Sequence, residues 1–179
     1  MNFTQNKHVK IVLVGYMGSG KTTIGKLVAN HLRIKFLDLD AYIEQAEGQT
    51  IAELFSNKGE LYFRKKEFFY LKEILSSNSN VLLSTGGGTP CYGNNMKVIT
   101  NATKNSIYLK VSLGELIRRL SVEKDQRPII SGITDDELPE FIGKHLFERS
   151  FYYHQAQTRL SCDGRSPEEL AMEIVNSLV

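Results

Sequence analysis

The stretch Gly15 to Thr22, GYMGSGKT, constrains this chain more than any other, because it needs a strand before it and a helix after it. It fits the phosphate-loop pattern G-x-x-x-x-G-K-[ST] in full. The apolar run Val9 to Val14 precedes it and reads as a buried strand; Thr23 to Leu32 follows it and reads as a helix. Gly18 and Gly20 free the backbone to curl, so that the N–H groups from Gly18 to Thr23, Ser19 among them, can point inward at phosphates. Lys21 supplies a point charge to the β- and γ-phosphates, and Thr22 offers a hydroxyl to Mg²⁺. The helix N-terminus adds its positive dipole end to the same anion.

Composition narrows the class. The chain has 179 residues, which suggests a single domain with room for a real core. A formal net charge of +2 is nearly balanced, so neither a nucleic-acid-binding arm nor a polybasic membrane segment is expected. Met1 to Lys10 is polar, without the apolar core of a signal peptide, and no apolar run approaches a membrane span. Cys91 and Cys162 make no metal or redox spacing. A cytoplasmic monomer with reduced thiols is the expectation.

Further short apolar runs recur at Ile34 to Asp38, Val81 to Thr85 and Ser106 to Lys110, with a weaker one at Thr158 to Ser161. Helical patterns occupy Glu60 to Ser76, Ser112 to Ser121, Asp135 to Ala156 and Pro167 to Leu178. Strand alternating with helix predicts an α/β fold, a doubly wound parallel sheet. Ser166 caps the last helix, with Pro167 at its first position and acids in its first turn. The polar segment from Ser121 to Pro128 has little to bury and reads as a surface loop or a mobile lid.

Three constellations carry candidate chemistry. Asp38-Leu39-Asp40 closes the second strand, where alternation would put both carboxylates on one side. Ligands of open α/β sheets bind off the carboxyl ends of the strands, so the pair would reach the phosphate loop. One acid could help hold Mg²⁺ and the other take a proton from an attacking hydroxyl; a plain helix N-cap is the competing reading. Gly86-Gly87-Gly88 closes the third strand and marks unusual backbone angles or close approach of a ligand, against a tight turn. Ser84 stands where many phosphate-loop enzymes have an acid. Arg64 lies three residues before Glu67 and can pair with it, leaving a planar guanidinium for a substrate carboxylate. Arg127 precedes Pro128 in the polar segment, and Arg149 follows Glu148, with Tyr153 one turn on.

GYMGSGKT, FLDLDAYIE, GQTIAELFSNKGELYFRKKE, STGGG, QRPII and ERSFYY, in this order and spacing, closely resemble the shikimate kinases over nearly the whole chain. The resemblance implies ATP-dependent phosphorylation of the 3-hydroxyl of shikimate, a step of aromatic amino-acid biosynthesis. It implies three layers around five parallel strands in order 2-3-1-4-5, substrate-binding helices at about 40–76 and a lid at about 121–134. Lys21 matches the phosphate-loop lysine, and Thr22 with Asp38, and Ser84 beside it, the Mg²⁺ site. Asp40 matches the candidate base, Arg64 and Arg149 the carboxylate clamp, and Gly86, Gly87 and Gly88 the loop that meets shikimate. Arg127 matches the lid arginine; Ile51, Phe55 and Phe63 would line the pocket, and Glu67 would orient Arg64. Either Arg119 or Arg118 would meet adenine, with Arg165 and Pro167 at the end of that site. Ser150 and Phe151 replace the family's common Asn-Pro. A gluconate or nucleoside monophosphate kinase of the same fold, or a nucleotide-binding module without turnover, are the competing functions.

Overall fold

The computed structural model describes residues 8–124, 127 and 129–178. Five strands, β1 (Lys10–Val14), β2 (Lys35–Asp38), β3 (Val81–Ser84), β4 (Asn105–Lys110) and β5 (Thr158–Ser161), form one sheet in the order β2-β3-β1-β4-β5. Every pairing is parallel, with Val12 of β1 opposite Leu83 of β3 and Ser106 of β4. Seven α-helices surround it among the described residues: α1 (Lys21–Leu32), α2 (Leu39–Glu47), α3 (Ile51–Ser76), α4 (Asn95–Ala102), α5 (Leu113–Glu123), α6 (Leu138–Tyr153) and α7 (Pro167–Ser177). Helices cover both faces, the three-layer arrangement expected of a parallel sheet. That is why Ile11 to Val14 and Val81 to Leu83 are apolar without alternation: each is buried on both sides. Fully burying such a side chain is worth roughly 1.5–3 kcal/mol.

The expected strands and helices are all present, with ends displaced by a few residues. The largest displacements are in α6, which begins at Leu138 and ends at Tyr153, and in α3, which begins at Ile51. Glu60 to Ser76 is nevertheless a unit, because Gly59 has φ 80 and ψ 167 and breaks α3 into two helices. The first is opened by a capping box, in which Thr50 and Glu53 satisfy each other's backbone N–H groups. Helices α2 and α4 carry no clear sequence signal. The eight residues of α4 have no side-chain cap bond, and α2 begins inside what reads as a strand end.

That last point corrects the expected alternation. Asp38 is the final residue of β2, and its carboxylate caps α2, accepting from the N–H of Asp40 at 3.1 Å and of Ala41 at 3.4 Å. Asp40 lies in the first turn of α2 rather than on the strand. The chain turns from strand to helix at the carboxylates, so capping and site geometry share one residue.

Candidate active site

The loop between β1 and α1 lines a cleft with the residues from Met17 to Thr23. Gly18 (φ 77) and Gly20 (φ 90) take left-handed angles that other residues seldom adopt, and Gly20 caps α1. Lys21 is buried and folds back on this loop, donating to the carbonyls of Gly15 and Tyr16, both at 2.8 Å, and to Ser19 Oγ at 3.4 Å. Burial lowers its pKa to about 8, against the pull of Asp40 and Asp38. Thr22 donates its hydroxyl to Asp38 Oδ2 at 3.1 Å.

Asp40 faces this loop. Burial, then the charges of Asp38 and Glu67, raise its carboxyl pKa to about 6, with Lys21 opposing. Gly86, Gly87 and Gly88 all have ordinary negative or extended backbone angles, so unusual conformation is not their reason. Space is: a Cβ on Gly86 would stand 2.8 Å from Asp40 Oδ1, and one on Gly87 would stand 3.2 Å from the backbone N of Met17. The triplet lets the phosphate loop, the end of β3 and the Asp40 carboxylate close on one another. The Tyr153 hydroxyl donates to the Gly87 carbonyl at 2.6 Å, tying α6, which carries Arg149, to the same triplet. No break follows Arg149: α6 runs through Ser150 and Phe151, with Ser150 Oγ donating to the Phe147 carbonyl.

One continuous cleft of about 560 Å³ joins these groups. Its walls include Gly18 to Thr23, Asp38, Asp40, Ser84, Gly86 to Gly88, Arg119, Arg127, Arg149, Arg165 and Pro167. Of the two arginines left open, Arg119 lines the cleft, donating to the Gly18 carbonyl at 3.1 Å, while the Arg118 side chain is 71% exposed. Glu115 holds both. Glu123 holds Arg127, and Glu173 holds Arg165 at 2.5 Å. These acidic partners were missed, although Glu115 and Glu123 stand three or four residues before their arginines, a legible helical pairing. Of the expected lid, Asp125, Gln126 and Pro128 lie outside the described residues.

Arg64 is placed differently. It does not line the cleft but stands beside it, its Nη1 and Nη2 each 3.5 Å from where a Cβ on Gly88 would be. Glu67 is buried and pairs with Arg64 Nη1 at 3.0 Å, its other oxygen accepting from Thr89 Oγ1 at 2.7 Å. Phe63 and Phe55 pack under the guanidinium, and Ile51 packs on the core. A second cavity of about 500 Å³ is lined by Arg64 itself with Glu60, Leu61, Lys65, Phe68 and Tyr92.

The cleft suits a metal carried by its ligand rather than by the protein. Among the described residues no group of three or more His, Cys, Asp or Glu side chains could hold a metal ion. Thr22 Oγ1 and Asp38 are hard oxygen donors, and the buried Ser84 Oγ lining the cleft has no hydrogen-bond partner among the described residues. Mg²⁺ bound through few protein oxygens plus substrate phosphates and water fits such a set.

The family model described as shikimate kinase matches residues 17–179. A shikimate kinase of Flavobacterium psychrophilum is 46% identical over 92% of this chain and 96% of its own. The crystal structure of shikimate kinase from Bacteroides thetaiotaomicron, 42% identical, superposes with a TM-score of 0.85 over 95% of this chain and 96% of that one. A shikimate kinase from Acinetobacter baumannii in complex with shikimate, 29% identical, gives a TM-score of 0.85 over 97% of this chain and 94% of its own. With its sheet order, its phosphate loop and these likenesses spanning nearly its full length, the chain belongs to the shikimate kinase family.

Proposed function

We propose that this chain transfers the γ-phosphoryl group of ATP to the 3-hydroxyl of shikimate, giving shikimate 3-phosphate and ADP. Beyond family membership, the observation that carries this reading is Asp40: a carboxylate with a pKa raised to about 6, in one cleft with Lys21 and against Gly86. A base poised near neutrality beside a phosphate loop serves a hydroxyl acceptor.

In this reading the attacking O–H bond breaks with its proton passing to Asp40. The new O–P bond forms as the bond from the γ-phosphorus to the bridging oxygen breaks, leaving its electron pair on ADP. Such transfer has a loose transition state, so the protein chiefly positions the reactants and neutralises charge. Lys21 exchanges the carbonyls of Gly15 and Tyr16 for phosphate oxygens. Arg127 leaves Glu123 for the same charge, and the segment 121–134 that bears it acts as the lid. Arg64, beside Gly88, and Arg149, in the cleft wall, grip the acceptor carboxylate, and Arg119 and Arg165 flank the adenine. Thr22 and Asp38 hold Mg²⁺, which screens phosphate charge when bound. The reading is of one domain acting as a monomer in the cytoplasm.

The decisive experiment is ADP release by the purified chain with Mg·ATP over shikimate, gluconate and nucleoside monophosphates, the product identified by phosphorus NMR. Turnover with shikimate alone is expected. ATP binding without any phosphorylated product would replace the reading with a non-catalytic nucleotide module.

A further inference from the structure

We infer that Tyr92 is a positioning residue for the acceptor's carboxylate, its ring holding the Arg64 guanidinium in the orientation that receives the acid. The inference rests on the shikimate reading above and assigns a role to a side chain that the phosphate loop, the base and the arginine clamp leave unused.

The geometry is compact. The Arg64 guanidinium carbon stands 3.5 Å from the centre of the Tyr92 ring, close enough for the planar cation to stack on the aromatic face. Glu60 engages Arg64 Nε at 3.3 Å and Glu67 engages Nη1 at 3.0 Å. Nη2 has no hydrogen-bond partner among the described residues and lies 3.5 Å from the space above Gly88. Two edges of the fork are therefore pinned by acids and one face is covered by the ring. What remains open is directed at the glycine loop.

The local backbone explains why the ring is there. Gly88 starts a single 3-10 turn, Thr89–Cys91, in which Cys91 N donates to the Gly88 carbonyl at 2.9 Å. Tyr92 ends that turn, and its own carbonyl accepts from Asn95 N at 3.1 Å at the start of α4. One short segment thus sets both the glycine floor of the proposed acceptor site and the ring stacked on Arg64. Nor is Tyr92 a core residue: it is half-buried and lies outside the hydrophobic cluster. Its hydroxyl makes no hydrogen bond among the described residues, and its ring touches the Arg64 guanidinium on one side and reaches within 3.5 Å of where a Cβ on Gly88 would stand. A long, flexible arginine held in its binding geometry loses less freedom when the ligand arrives, which appears as affinity.

The test is steady-state kinetics on Tyr92→Leu and Tyr92→Phe, with thermal melting of each. In Tyr92→Leu the KM for shikimate should rise by roughly tenfold, while kcat, the KM for ATP and the melting temperature hold. Tyr92→Phe, which keeps the ring face, should restore the shikimate KM. In an Arg64→Ala background, Tyr92→Leu should add nothing further, because the ring acts only through the guanidinium. An unmoved shikimate KM in Tyr92→Leu, or an equal rise with and without Arg64, overturns the inference while leaving the function intact. A wild-type chain that makes no product from shikimate overturns the functional reading, and this inference with it.

Discussion

Asp40 shows how one residue can be placed for chemistry against its own folding preference. Its pKa in the folded chain, about 6, exceeds the ordinary 3.8, because burial and neighbouring acids penalise the ionised form. The folded state therefore binds the proton more tightly, and stability falls as pH rises from about 3.8 through about 6. Above that window the cost is complete. Asp40→Asn should then melt at a higher temperature than the wild type at pH 7.5, with the advantage fading toward pH 4, while turnover collapses. For the wild type, kcat/KM for shikimate should fall on the acid side with a midpoint near the Asp40 pKa of about 6. A flat profile down to pH 5, or a destabilised Asp40→Asn, would remove this residue from the role. The sequence makes Asp40 visible as one of two acids at a strand end. It does not reveal the shift, which depends first on burial in the fold, then on Asp38, and on Glu67 arriving from α3.

Helix α3 carries the same lesson at the level of an element. Its periodicity from Glu60 onward is legible, yet the residue that matters for direction is Gly59, whose φ of 80 and ψ of 167 lie in a region essentially reserved for glycine. The break lets the first part, Ile51 to Lys58, and the second, with Arg64 and Glu67, take different directions. Nothing lies within 4 Å of where a Cβ on Gly59 would stand, so an alanine there meets backbone strain and no clash. Gly59→Ala should cost ~1–3 kcal/mol in denaturant unfolding and raise the KM for shikimate by redirecting Arg64. Unchanged stability would mean that the break relaxes into a continuous helix. The partner helix α2 is fixed by Glu47, which accepts from Tyr62 and Tyr70, each at 2.6 Å, and pairs with Lys66 at 2.8 Å. None of these contacts is readable along the chain, because α2 itself starts where Asp38 turns from strand residue to helix cap.

Across the whole molecule, the chain crosses from β1 to the edge strand β2 and returns to place β3 between them, which brings three separate strand ends to one cleft. Phosphate loop, acids and glycine triplet all follow strands, and parallel pairing aligns their carboxyl ends. In the proposed reading the metal belongs to this scale too, arriving with the nucleotide beside Thr22 and Asp38. Chelating Mg²⁺ should therefore abolish turnover while leaving shikimate binding by calorimetry intact. Mg·ATP at a hundredfold excess over its Kd should stabilise the fold by about 2.7 kcal/mol. Loss of shikimate binding on chelation would place the ion within the acceptor site instead. By itself the sequence determined the strand–loop–helix unit around Lys21, the alternation of strands and helices, and the family, because these depend on local backbone chemistry and on periodicity. Only the tertiary structure decided that Arg119 rather than Arg118 meets the cleft, that Arg64 stands beside it against Tyr92, and that the glycines of 86–88 serve close approach. Those outcomes depend on residues far apart in sequence coming within a few ångströms, and no local pattern encodes that distance.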